Sequence, residues 1–122
     1  MVGKILSING NQSMNYLLKT ILGSAYNLLA VQDAYEAMQV LKAVKEIDCA
    51  LIDTDYHTIQ NIDFIQHLKN SYLYQCPVII LASKKEPDED LEPSSVTKVF
   101  FKPFNPLVLK QSIDEIMTLS LI

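Results

Sequence analysis

Three charged groups in this chain stand where short apolar runs end. Asp53 closes the run Cys49-Ala50-Leu51-Ile52, Asp55 follows two residues later, and Lys102 comes between Phe101 and Pro103 at the end of Val96 to Phe101. Two uncharged stretches are placed in the same way: Asn9-Gly10-Asn11 after Lys4 to Ile8, and Ala82-Ser83 at the end of Pro77 to Ala82. A carboxylate and a lysine brought together at strand ends make at least a structural ion pair. Carboxylate oxygens are also the ligands that hard divalent cations take. The other reactive side chains are less well placed. Cys49 and Cys76 lie in or beside apolar runs without a CxxC spacing, so they read as two buried thiols, not as a disulfide framework or a metal motif. His57 and His67 have no second ligand at a usable spacing and read as surface residues.

The elements that must position these groups follow from periodicity. Lys4 to Ile8 reads as a strand ending in a turn signal at Asn9-Gly10-Asn11. Met14, Leu17, Leu18, Ile21 and Leu22 then recur at helical spacing up to Gly23. Asn27 to Val31 is a second short strand, and Asp33 is placed to cap a helix with an apolar face of Ala37, Met38, Val40, Leu41 and Val44. Cys49 to Ile52 is a third strand, and Ile62, Phe64, Ile65 and Leu68 mark the helix after it. Pro77 to Ala82 and Val96 to Phe101 are a fourth and a fifth strand. A last helix starts near Asn105-Pro106, a cap followed by proline at the first helical position, with Leu109, Ile113 and Ile116 on one face. Strands that are apolar on both faces and alternate with helices predict a doubly wound parallel α/β sheet covered on both sides. In such sheets the functional site lies beyond the carboxyl ends of the strands, which is where all the polar stretches above fall. One unit departs from the pattern. Lys84 to Ser95 holds Pro87, Pro93, a cluster of acids and only Leu91 as a large apolar residue, so a short or irregular fourth helix is expected there.

Composition bounds the function. With 122 residues the chain is one domain, 1–122, long enough for a real core. Hydrophobic residues at 49% and charged residues at 20% fit a globular protein and not a disordered one. A net charge of −4, with no basic run longer than Lys84-Lys85, offers no basic face and so predicts no direct nucleic-acid binding. The absence of an h-region or an 18-residue apolar stretch predicts a cytoplasmic location with no membrane span.

Over nearly its whole length the chain resembles the receiver domains of two-component response regulators, chemotaxis-regulator-like single domains among them. The resemblance is carried by Lys4-Ile5-Leu6, Asp33-Ala34-Tyr35-Glu36-Ala37-Met38, Leu51-Ile52-Asp53, Pro77-Val78-Ile79-Ile80-Leu81 and Lys102-Pro103-Phe104, in this order. It implies a flavodoxin-like three-layer α/β/α fold with strand order 2-1-3-4-5. It also implies a phosphorelay role: Asp53 at the phosphoacceptor position, Lys102 as the lysine that pairs with the phosphoaspartate, and a histidine kinase or a downstream signalling protein as partner.

The departures from that pattern weigh more than the matches. The acidic pair that holds Mg²⁺ in the family falls on Asn9 and Gly10, the hydroxyl position on Ala82 with Ser83 one residue further, and the aromatic switch position on Val99. The usual proline after the aspartate falls on His57 and the following glycine on Asn61, whose tolerance of left-handed backbone angles would preserve the turn. A unit charge pair near 4 Å is worth roughly 4 kcal/mol at an effective dielectric of about 20, so losing two carboxylates removes most of the attraction for a divalent ion. Asp55 stands as a metal helper that could restore one carboxylate. The leading expectation is therefore a pseudo-receiver: a binding module, not an enzyme, with no metal or cofactor and with impaired or absent Mg²⁺-dependent phosphorylation. A working phosphoacceptor that uses Mg²⁺ is the second reading. A small flavodoxin-like cofactor protein, with Ser7 to Ser13 as its phosphate loop, is the remote third. Leu107 and Val108 open the last helix where the family carries polar residues, and two readings stay open for them. Either they form a partner surface, or the apolar tail Leu119-Ser120-Leu121-Ile122 folds back over them.

Overall fold

The computed structural model describes residues 2–44, 46–71, 76–83 and 96–120, excluding the side chains of residues 119 and 120. The expected irregular helix between the fourth and fifth strands, residues 84–95, lies outside the described residues. The same holds for the side chains of the apolar tail, residues 119–122.

The described elements run β1 (Lys4–Ile8), α1 (Gln12–Leu22), β2 (Asn27–Val31), α2 (Ala34–Ala43), β3 (Cys49–Asp53), α3 (Thr58–Asn70), β4 (Val78–Ala82), β5 (Lys98–Phe101) and α4 (Pro106–Ser120). All strand pairs are parallel, in the order β2-β1-β3-β4-β5. The doubly wound expectation is met, strand order included. The order of winding across the sheet reverses between β1 and β3, because β1 leads outward to β2 while β3 leads the other way to β4 and β5.

Period-two alternation divides the buried strand residues between two cores. Leu6, Ile8, Ala50, Ile52, Val78 and Ile80 face Ala37 and Leu41 of α2 and Phe64, Ile65 and Leu68 of α3. Ile5, Cys49, Leu51, Ile79, Leu81 and Phe100 face Leu18 and Leu22 of α1 and Leu109, Ile113 and Met117 of α4. Every residue of β3 and of β4 is buried, which is why these two runs are apolar throughout and why Asp53, at the end of β3, is enclosed as well. The thiols of Cys49 and Cys76 are free and buried, and burial pushes the Cys49 thiol up to about 12, which makes it inert at neutral pH.

Local chemistry starts the helices where the site needs them. Asn11 caps α1 by accepting from the Met14 N–H at 3.0 Å. Asp33 caps α2 by accepting from the Glu36 N–H at 2.9 Å, and the Glu36 carboxylate reaches back to the Gln32 N–H at 2.9 Å. Asn105 accepts from the Leu107 N–H at 2.9 Å ahead of Pro106. Helix α3 starts differently. Its cap, His57, has φ 50° and ψ 48°, so the left-handed residue of this loop is His57 and not Asn61. Asn61 lies inside α3, fully buried, and has another task, described below.

Candidate functional site

Parallel register sets the ends of β1, β3, β4 and β5 side by side. Ile8 pairs with Ile52, Asp53 with Leu81 and Ala82 with Phe101, so Asn9, Asp53, Ser83 and Lys102 emerge on neighbouring strand ends. The Lys102 N–H donates to the Ala82 carbonyl at 2.9 Å and the Thr54 N–H to the Leu81 carbonyl at 3.1 Å, which extends the ladder into the site. The Lys102–Pro103 peptide is cis.

Asp53 is 1% exposed. Its Oδ2 accepts from the Lys102 ammonium at 2.5 Å, and its Oδ1 accepts from the Asp55 N–H at 2.8 Å. The same ammonium donates to Asp55 Oδ2 at 2.9 Å, so one lysine is shared by two carboxylates. Asp55 has further partners on β4. Its Oδ2 accepts from the Ser83 hydroxyl at 2.6 Å and its Oδ1 from the Ser83 N–H at 2.9 Å. Burial raises the Asp55 carboxyl, but the Ser83 hydroxyl, the Ser83 N–H and Lys102 outweigh it and hold the group below the usual carboxylate range. Burial likewise lowers Lys102, and the hydrogen bonds and charges of Asp53 and Asp55 more than reverse this, so its ammonium is held above the ordinary lysine value.

Asn61 supports the loop that carries Asp55. Its Nδ2 donates to the Asp53 carbonyl at 2.8 Å and to the Tyr56 carbonyl at 2.9 Å, and the Thr58 hydroxyl donates to the Thr54 carbonyl at 2.7 Å. The loop between β3 and α3 is thereby tied to the end of its own strand.

Of the residues singled out from the sequence, Asp53, Asp55 and Lys102 meet in one network. Ala82 is buried and offers only a methyl group, and the hydroxyl comes from Ser83, one residue on. Asn9 is buried beside β3. Its Oδ1 accepts from the Asn11 N–H at 2.8 Å, while its Nδ2 is without a hydrogen-bond partner. Gly10 is exposed, and a Cβ there would meet only the Gln32 carbonyl, at 3.9 Å. Val99 is 38% exposed on β5, the edge strand, and stands apart from the network. His57 and His67 are exposed, as expected. Leu107 and Val108 are 67% and 45% exposed in the first turn of α4. At 1.5 Å per residue, Ser120 ends that helix about 20 Å from Leu107. Ser83 and Asn61 are the residues whose site roles the sequence did not reveal. A serine directly after an apolar strand is the one signal that pointed to Ser83.

The donor set can be tested against Mg²⁺, which takes a near-octahedral shell of hard oxygens, usually with one or two carboxylates. Here the acidic-pair positions supply a buried amide N–H₂ and no side chain, and the two carboxylates present share an ammonium. Among the described residues no group of three or more His, Cys, Asp or Glu side chains could hold a metal ion. These residues fit an ion-pair network and do not fit a magnesium shell.

No protein-family model matches the sequence, and no curated protein matches it. Solved structures do. The chemotaxis response regulator CheY4 of Vibrio cholerae superposes with a TM-score of 0.82 at 18% identity, over 95% of this chain and 99% of that one. A response regulator from Thermotoga maritima gives 0.78 at 18% identity, over 97% and 99%. The signal receiver domain of a signal transduction histidine kinase from Syntrophus aciditrophicus gives 0.78 at 20% identity, over 96% and 91%. The chain has the receiver fold. Its Asp53 and Lys102 stand at the carboxyl ends of β3 and β5 in that receiver fold, on the side of the sheet where doubly wound folds place their sites, near the reversal in strand order. No helix among the described residues is long and apolar enough to cross a membrane.

Proposed function

We propose that this chain is a single signal-transduction receiver module that works through protein contacts and does not depend on Mg²⁺-assisted phosphorylation of Asp53. The observation that carries the reading is the shared ammonium of Lys102, at 2.5 Å from Asp53 and 2.9 Å from Asp55, beside acidic-pair positions occupied by Asn9 and Gly10. Phosphoryl transfer to a carboxylate relies on positioning and on neutralising charge. Among the described residues the one cation close to Asp53 is already divided between two anions. A binding module without catalysis, cofactor or metal follows. Its partner is a histidine kinase or a downstream signalling protein in the cytoplasm, and the exposed Leu107 and Val108 are part of the surface it touches.

One observation favours a working phosphoacceptor as the second reading. Asp53 and Lys102 keep the contact that a phosphoaspartate would need, and the backbone at Gly10 leaves open space beside the site.

A Mg²⁺ titration with and without beryllofluoride, followed by NMR at Asp53, Ser83 and Lys102, separates the two. The expected result is no saturable shift at millimolar metal. Saturable shifts at Asp53 and Lys102 that require both metal and beryllofluoride would overturn the proposal.

A further inference from the structure

Asp55 is bound more completely than a loop carboxylate needs to be. Ser83 at the end of β4 gives it a hydroxyl at 2.6 Å and a backbone N–H at 2.9 Å, and Lys102 at the end of β5 gives it an ammonium at 2.9 Å. These three donors come from two strands and converge on one anionic group, which itself comes from the loop after β3. A hydroxyl, a main-chain N–H and an ammonium are the groups that bind oxyanions, and a charged acceptor makes each bond shorter and stronger. The site therefore holds a complete oxyanion cradle, and the chain's own carboxylate fills it. Asp53 does not compete for the Ser83 donors: among the described residues its carboxylate oxygens accept from the Asp55 N–H and the lysine.

We infer that Asp55 is a built-in anionic ligand, which occupies the donors of Ser83 and Lys102 that an external phosphoryl-type oxyanion would otherwise use and so holds the ends of β3, β4 and β5 in the ligand-bound arrangement. This inference rests on the phosphorylation-independent reading of the site and supplies its regulation: the domain is fixed in one state by its own sequence. Asp55 is a positioning residue here and takes part in no reaction. The depressed Asp55 carboxyl and the raised Lys102 ammonium agree with a ligand that stays ionised and bound at neutral pH. Asn61 contributes by holding the loop through the Asp53 and Tyr56 carbonyls, which aims Asp55 at β4.

Chemical rescue tests this in the full chain. Asp55→Ala empties the cradle, and its Ser83 and Lys102 resonances should move away from those of the wild type. Titrating inorganic phosphate into Asp55→Ala should return them saturably, at concentrations that leave the wild type unmoved. An Asp55→Ala protein whose Ser83 and Lys102 signals ignore phosphate overturns the inference. Asp55→Ser also removes the carboxylate and leaves room for the ion, and it is read in the same way if the alanine variant does not fold. The wild type gives a check independent of both variants: its Lys102 ammonium signal should ignore phosphate, and a saturable response there also overturns the inference. Failure of the phosphorylation-independent reading would show elsewhere, as magnesium-dependent shifts in the wild type.

Discussion

Lys102 neutralises both carboxylates of the site. Asp53 has a side-chain exposure of 0% and Asp55 of 21%, and among the described residues the ammonium between them is the only positive charge in contact with either. Buried charges are tolerable only when paired, and removing one partner costs far more than the pair contributes. Lys102→Met should therefore lower stability by about 3 kcal/mol, read as a reduced urea midpoint. Asp53→Asn in the same chain should recover most of that loss, because the stranded charge is then gone. A single Lys102→Met variant with an unchanged midpoint would mean that the network is better solvated than its geometry indicates.

At the scale of elements, two glycines that each follow a regular element have different tasks. Gly23 ends α1 with right-handed backbone angles, and a Cβ there would come within 2.5 Å of the Lys19 carbonyl oxygen. Gly10 follows β1, and a Cβ there would meet nothing closer than 3.9 Å. Gly23→Ala should cost about 2 kcal/mol, while Gly10→Ala should stay within about 0.5 kcal/mol of the wild type. Thermal unfolding of the two variants checks both. The tolerance of Gly10 has a functional side: its lack of a carboxylate is not imposed by the packing of the loop. The edge strands also differ from the central ones. β2 exposes Asn27 and Ala30, and β5 exposes Lys98, Val99 and Phe101, where β3 and β4 expose none, so an aspartate at the end of β3 is enclosed.

Across the whole molecule, a polar contact joins the apolar packing that ties the first half of the chain to its last helix. The Tyr26 hydroxyl, just before β2, hydrogen-bonds the Asp114 carboxylate of α4, and Lys110 pairs with the same carboxylate at 2.8 Å. Burial, then the hydrogen bond and charge of Asp114, push the Tyr26 phenol up from 10.0 to about 12. A group whose value is raised on folding contributes stability that is complete below its unfolded value and lost as pH climbs through the folded one. The stability difference between wild type and Tyr26→Phe should accordingly be constant from neutral pH up to about pH 10 and shrink between there and about pH 12. Urea unfolding of both proteins across that interval is the measurement, and a difference that does not change with pH would rule out the phenol as its source.

The sequence by itself determined the alternation of elements, the parallel sheet and the positions of Asp53 and Lys102. The reason is that hydrophobic period and strand ends are local properties: β3 and β4, buried on both faces, stay apolar until they leave the sheet, and Asp53 and Ser83 are the first polar residues at their exits. The caps at Asp33 and Asn105 were legible for the same reason, whereas Asn11, read as part of a turn, proved to cap α1. The tertiary structure alone decided what the polar residues do once they emerge. Asp55 looked like a spare metal ligand, and it is bound to Ser83 because β4 ends beside β3. Asn61 looked like a turn residue, and it is a buried brace because the left-handed position falls on His57. Side-chain hydrogen bonds between strand ends depend on register and loop path to within an ångström, and no spacing along the chain encodes that.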